Sequence, residues 1–517
     1  MSPHRKQLTR DSIGFAFTQY LVRAMNMARS FIAARLLGPM EFGAWNALQL
    51  MIDYGTFAPV GTQQGLDQLV PGRLVAGDHE STVRLKRAAL FNILLFSALF
   101  MLGCVLWATW GSSRIRETWH LKGIAIALLC VLFTNIANYG TSILRSHGNI
   151  GAVSGWFVWQ GLIGTGVGLA LIVWFGRWGL LWGLFVGGLV ALLWVLREGR
   201  GVLPLRPAPA AEGLDLVQTG FPLFVYNSSA LVMRSIDRLV VLRFLGTKEL
   251  GYYSLSVNVL TLLMSLPDSV AYVAYPRLLR QFSESGDDPA SIRDRAERLV
   301  RALTLLLPAL SGVGYLWSRD LVLWLLPKFA PGVDAMRVLC FGATGLAIAT
   351  LASIILMTVR RRLVLMPAAL FLTAVSAALE IVAIRLHGGL VGVAWATLLA
   401  YVLNGAVLLS LAATGMGMAF REMLALVVRA VVPLALALLV AKGADVLLLH
   451  PPAATGPERA LHLALATVVF GAAYGLLVAP FARGVGLRQL ALAFNVPVLA
   501  GLLRRFGGGA DDPENRS

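Results

Sequence analysis

The chain has 517 residues, 57% of them apolar and only 14% charged, with a mean hydropathy of +0.73. No soluble domain buries that much hydrocarbon surface, so composition excludes a globular cytosolic enzyme and places the chain in a bilayer. The formal net charge of +17 is then explained by membrane topology and contact with anionic lipid, and calls for no nucleic acid.

Apolar runs of about 20 residues recur along the length, each enough to cross roughly 30 Å of hydrocarbon as an α-helix. The short alternating segments of a membrane β-barrel are not seen. In chain order the predicted spans are Ile13 to Leu37, Phe42 to Leu66, Ala88 to Trp110, Leu121 to Leu144, Ile150 to Phe175 and Trp178 to Leu196. A linker with Pro204, Pro207 and Pro209 follows, and then Leu214 to Leu245, Leu250 to Leu278, Arg301 to Trp317, Val333 to Val359, Leu363 to Ile384, Leu390 to Ala413, Met423 to Leu449 and Ala460 to Phe481. The expected architecture is an all-α polytopic membrane protein with about fourteen helices. Its parts are an N-terminal lobe (1–196), a cytoplasmic linker (197–213), a C-terminal lobe (214–413), two accessory spans (414–481) and a cytoplasmic tail (482–517). The tail begins as a basic amphipathic stretch, which suits the membrane surface, and ends in a polar stretch expected to be disordered.

The opening MSPHRKQLTR resembles the start of a signal peptide, but Gln19, Arg23 and Arg29 interrupt the run and no small-residue cleavage site follows. An uncleaved first helix is expected. With the N-terminus inside, roughly 26 of the 44 basic residues fall on the cytoplasmic side, so both termini are assigned there. Cys104, Cys130 and Cys340 fall within spans without paired spacing, and the seven histidines are scattered, so neither a disulfide framework nor metal chemistry is indicated.

One phrase occurs twice: RLLGPMEFG from Arg35 and RFLGTKELG from Arg243, about 208 residues apart, too far for a solenoid repeat. The chain therefore reads as two copies of one large unit. Upstream of each copy the polar residues also correspond. On the first span Gln19, Arg23, Asn26 and Ser30 share one helical face, and on the seventh Asn227, Arg234 and Arg238 repeat it. The second span carries Asn46, Gln49, Asp53 and Thr56, and the eighth Ser254, Asn258, Thr261, Ser265 and Asp268. An arginine at the centre of a lone helix costs about 2.5–3.5 kcal/mol on insertion scales, so Arg23 and Arg29 must face water or a partner. Four polar rows could line one chamber; the alternative is intramembrane ion pairing, such as Asp237 with Arg234 or Arg238. Excess positive charge suits an anionic ligand, and the arginine fork suits phosphate. Asp53, Asp67, Asp268 and Glu380 are the acids that could instead bind a coupling ion; among these Asp53, Asp268 and Glu380 are the chosen candidates.

A basic N-terminus, a first helix ending in Ala34, Arg35, Leu37, Gly38, Pro39, Phe42, Gly43 and Trp45, and two halves of apolar spans together resemble the polysaccharide flippases, often called Wzx, of the multidrug/oligosaccharidyl-lipid/polysaccharide (MOP) exporter superfamily. The resemblance implies two six-helix lobes plus two helices, alternating between inward-open and outward-open states. The implied cargo is an oligosaccharide on undecaprenyl pyrophosphate, moved across the bacterial inner membrane for O-antigen, capsule or exopolysaccharide synthesis. Substrate-binding residues are expected on the polar rows, among Gln19, Arg23, Asn26, Arg29, Asn46, Gln49, Asp53, Asn227, Arg234 and Arg238; of these Arg23, Arg29 and Arg234 resemble in placement the cationic cavity residues of related lipid II flippases, and the motif residues support the turn. No cofactor is implied; a polysaccharide polymerase and a chain-length regulator are the implied protein partners. Two alternatives stand: an ion-coupled drug exporter of the same superfamily, which would favour an acidic lobe, and a polytopic polymerase or ligase, which would need a long catalytic loop between spans.

Overall fold

The computed structural model describes residues 3–110, 121–361, 364–449 and 457–482; the side chains of 3–21 and 23 lie outside the description, as does the tail beyond 482. Among the described residues all regular structure is helical. The first half comprises α1 (Pro3–Gly55), α2 (Thr62–Val75), α3 (His79–Trp110), α4 (Leu121–Ser146), α5 (Ile150–Phe175) and α6 (Arg177–Glu198). After the linker come α7 (Glu212–Met233), α8 (Ile236–Phe244), α9 (Thr247–Glu284), α10 (Arg293–Leu325), α11 (Val333–Cys340), α12 (Gly342–Thr358), α13 (Leu365–Arg385), α14 (Gly389–Gly415), α15 (Phe420–Ala444) and α16 (Pro457–Ala482).

Eleven helices among the described residues are long and apolar enough to cross a membrane. The three other expected spans, 13–37, 42–66 and 214–245, are those that carry the arginine and amide rows, and two of them are broken. The second span unwinds over 56–61 between α1 and α2, and the seventh is interrupted at Arg234 and Ser235, between α7 and α8. Irregular backbone at membrane depth is tolerated where protein or water satisfies its polar groups.

The repeated phrase has a clear local cause. α1 turns at Gly38, whose φ of 74° is unfavourable for any residue with a Cβ, and Pro39 opens the second arm with a preset φ. In the second copy Gly246, at φ 99°, occupies the equivalent place before α9. Elsewhere, bare backbone does the packing that hydrophobicity cannot do in lipid. Gly164 and Gly168 of α5 abut Gly183 and Gly187 of α6, and Asn149 caps α5 by accepting the Ala152 N–H at 3.0 Å.

The described chain forms two compact units. The first is Met1–Asn258 with Leu321–Val333 and Met366–Val393; the second is Val259–Asp320, Asp334–Leu365 and Ala394–Ser517. In the first unit the linker is ordered against α3 and α4: the Tyr139 hydroxyl reaches the carbonyls of Lys86 at 3.1 Å and Pro204 at 3.2 Å. Lys86, itself 4% exposed, donates to Val202 O at 3.2 Å, and Asn92 donates to Gly213 O at 2.8 Å. In the second unit Arg337 makes a two-pronged pair with Asp445, both contacts 3.1 Å, while its guanidinium lies 4.8 Å from the Tyr315 ring centroid. Arg459 pairs with Asp320 at 2.8 Å and donates to Leu449 O at 2.9 Å, so one charged pair ties the segment just after α15 to α11 and the other ties α16 to α10.

Candidate functional site

The polar rows of the second and seventh spans meet in the first unit. On the second arm of α1, Gln49 Nε2 donates to Asp53 Oδ1 at 2.9 Å, and Asn46 Nδ2 turns back to Phe42 O at 2.7 Å. The Tyr54 hydroxyl and Ser235 Oγ are 2.6 Å apart. Because Ser235 already donates to Leu231 O at 2.7 Å, Tyr54 is the donor in that pair. This bond joins the two spans where the seventh is broken, and the same serine adds a second donor to the Leu231 carbonyl, which also accepts the Arg234 N–H at 3.1 Å.

Asp237, 1% exposed, has both oxygens occupied: Oδ1 accepts the Arg238 backbone N–H at 2.7 Å and Oδ2 the Tyr253 hydroxyl at 2.9 Å. Among the described residues no side-chain hydrogen bond joins it to Arg234, and Arg238 reaches it through its backbone N–H and the nearby charge of its guanidinium. The Arg238 charge also lies within electrostatic reach of Asp53 and Tyr54. Arg29 stacks its guanidinium 5.5 Å from the Trp45 ring centroid. Asn26 and Asn227 are half-buried, while Arg234 is exposed at the break with its backbone N–H closing α7. Gln19 and Arg23 lie outside the described side chains.

The candidate coupling acids sit on three different helices. Asp53 belongs to the cluster above; Glu380, fully buried on α13 in the same unit, accepts from Ser376 at 2.9 Å; Asp268 lies in the second unit. Asp67 is engaged elsewhere, by Ser142 and by Arg145 at 3.1 Å.

Hydrogen-bond accounting gives the cluster its chemical sign. On the first, second, seventh and eighth spans four shielded donors have no acceptor among the described residues: Arg29 Nε, Trp45 Nε1, Arg238 Nε and Asn258 Nδ2. Against them on these four spans, within the shared first unit, stands one unmatched acceptor among the described residues, Gln49 Oε1, with the hydroxyls of Thr62, Ser254 and Ser256 able to serve either way. A shielded donor left unmatched costs roughly 1–3 kcal/mol, so the arrangement favours a ligand rich in acceptors.

Glycine contacts close the first unit on both sides of this cluster along the helices. At one end a Cβ on Gly43 would run into the Thr247 carbonyl, and one on Gly251 into the Pro39 carbonyl. Gly43 and Gly251 are the same position of the repeat, as are Pro39 and Thr247, so the two copies pack reciprocally. At the other end Gly65 abuts Leu216 and Gly220 abuts Gly61, sealing α2 against α7.

A family model described as polysaccharide biosynthesis protein matches residues 32–328, more than half of the chain and both copies of the repeated phrase. The chain belongs to this family. Among solved structures, the family member is similar to one titled "Lipid II flippase MurJ, inward closed conformation", with a TM-score of 0.66 at 13% identity over 91% of this chain and 99% of that one. It is also similar to an inward-facing multidrug resistance MATE family transporter of the MOP superfamily (0.56, 16%, covering 76% and 94%) and to a MATE protein in a straight conformation (0.55, 15%, covering 79% and 95%). A comparison with curated proteins returns no match. The protein is thus a multi-pass membrane protein with the two-lobed helical fold of the MOP superfamily. Within this cluster, sequence reasoning overlooked Tyr54, Ser235 and Tyr253. Only Tyr253 carried a signal, as a second aromatic directly after the repeated glycine phrase.

Proposed function

We propose that the protein is a flippase that moves an oligosaccharide linked to undecaprenyl pyrophosphate from the cytoplasmic to the periplasmic leaflet of a bacterial inner membrane. The observation that carries this reading is the donor excess at Arg29, Trp45, Arg238 and Asn258, in a chain whose family is polysaccharide biosynthesis. Arginine donors hold the pyrophosphate, the amides of Asn26, Asn46, Gln49 and Asn227 contact sugar, and the lipid tail stays in the bilayer. The Gly43–Gly251 contact and the Gly61–Gly220 contact open in alternation, giving access to one leaflet at a time. A drug exporter would instead be expected to leave acceptors unpaired for cationic cargo.

The test is flipping of a fluorescent undecaprenyl-pyrophosphate glycan in proteoliposomes. Arg23→Ala, Arg29→Ala and Arg234→Ala should each abolish flipping while the protein inserts normally, and lysine at each place should restore part of it, because it keeps charge and loses the fork. Wild-type flipping in both Arg23→Ala and Arg29→Ala would refute the anion site.

A further inference from the structure

The sequence motif gives Trp45 a mechanical place beside the Gly38 turn, but its surroundings point further. The indole is 3% exposed, and its N–H is shielded with no acceptor among the described residues. The Arg29 guanidinium lies on its face, and Arg29 Nε is shielded and unmatched in the same way. Gln49 Oε1, one turn further along the same arm, is also unpaired and does not take the indole proton. Two neighbouring donors, one on each arm of α1, are thus kept dry and unmatched, which native interiors rarely tolerate without a ligand to complete them.

The indole is also held in place. Phe42 packs against it with ring centroids 5.6 Å apart, Phe329 meets Phe42 edge-on at 5.8 Å, and Tyr252 meets Phe329 at 6.0 Å. All four rings are at most 5% exposed, so Trp45 cannot swing out to find water. A side chain locked by its neighbours is the kind that presents a donor at a fixed point.

We propose that Trp45 is part of the anion site, its indole N–H and the Arg29 Nε–H donating to adjacent oxygens of a phosphate-ester headgroup while the indole face holds the guanidinium. This rests on the flippase reading above. Stacking lets the arginine keep a fixed orientation without a carboxylate partner that would compete with the ligand.

The experiment uses the full chain in nanodiscs with two probes, undecaprenyl pyrophosphate in the bilayer and free inorganic pyrophosphate. Trp45→Phe keeps a six-membered ring but loses the N–H together with the pyrrole ring that carries it, so it is paired with 3-benzothienylalanine at position 45, which keeps the bicycle and replaces only the N–H by sulfur. Each should weaken probe binding about tenfold, as expected for one hydrogen bond to a charged acceptor, the benzothienyl protein with an unchanged melting temperature. Trp45→Leu should weaken it further by freeing Arg29. In the ¹⁵N-indole spectrum of the wild type, the resonance missing from Trp45→Phe should move downfield when the probe is added. Trp45-dependent binding of both probes would make the phosphate alone the determinant, and of the lipid probe only, the membrane-anchored headgroup; either supports the proposal. Equal affinity in Trp45→Phe would overturn it. Should that variant not fold, a wild-type spectrum in which no indole resonance responds to a bound probe overturns it equally. A wild type that binds neither probe refutes the flippase reading itself.

Discussion

Replacing Gly43 by alanine tests whether the reciprocal contact is a gate. The new methyl would collide with the Thr247 carbonyl oxygen. Restoring an ordinary carbon–oxygen approach of about 3.3 Å requires the helices to part by roughly 1 Å or more. Overpacking of this kind costs about 1–3 kcal/mol, and the cost falls on the closed arrangement alone. The equilibrium should therefore shift toward separated turns by about 5- to 150-fold. The assay is disulfide formation between cysteines placed at Met40 and Lys248, next to the contacting Pro39 and Thr247, after Cys104, Cys130 and Cys340 are replaced. The pair should crosslink readily in the parent, stopping export on oxidation and releasing it on reduction. Gly43→Ala should slow crosslinking by the stated factor. Because the contact is pseudo-symmetric, Gly251→Ala should act to a similar extent, and the double variant should fall short of additivity. A folded Gly43→Ala protein that crosslinks at the parent rate would show that the turns do not gate.

Three further outcomes are expected. Arg337→Met strands Asp445 at a buried position and should lower stability by about 3–5 kcal/mol in a detergent melt, whereas Arg337→Met with Asp445→Leu should recover most of it; no recovery would deny that the loss is electrostatic. Glu212 is held below the usual carboxylate range, first by a hydrogen bond from its own backbone N–H and then by Arg84, whose Nε is 3.2 Å away. Its contribution to stability is thus present above the ordinary glutamate value and lost as pH falls through the lowered one; Glu212→Gln should flatten that acid limb of a melting-temperature profile. Finally, cysteines at Ser113, Lys248 and Thr455 should react with an impermeant reagent from outside and those at His79, Ser285 and Arg361 should not, and outside labelling at Arg361 would overturn the helix count of the second half.

Much of the fold is legible in the sequence because bilayer physics is one-dimensional. An apolar run of sufficient length becomes a helix whatever it packs against, so the spans, the repeated phrase and the sharp turn at Gly38 and Pro39 follow from residue order alone. So does the polar character of the first, second and seventh spans, since residues on one face of a helix are set by its period. What those residues touch is decided by tertiary structure. Tyr54 meets Ser235 across 181 positions, Arg337 meets Asp445 across 108, and Arg29 stacks on Trp45 of the other arm of α1. None of these pairs shares a local period, so no pattern announces them. The same limit explains the glycines. A glycine at Gly43 or Gly251 reads as a turn residue, and only the approach of the opposite carbonyl shows that its missing side chain is what lets the two copies close on one another. The sequence by itself determined which helices are polar and that there are two copies. The tertiary structure alone decided which donors are left without an acceptor, because that depends on every neighbour at once.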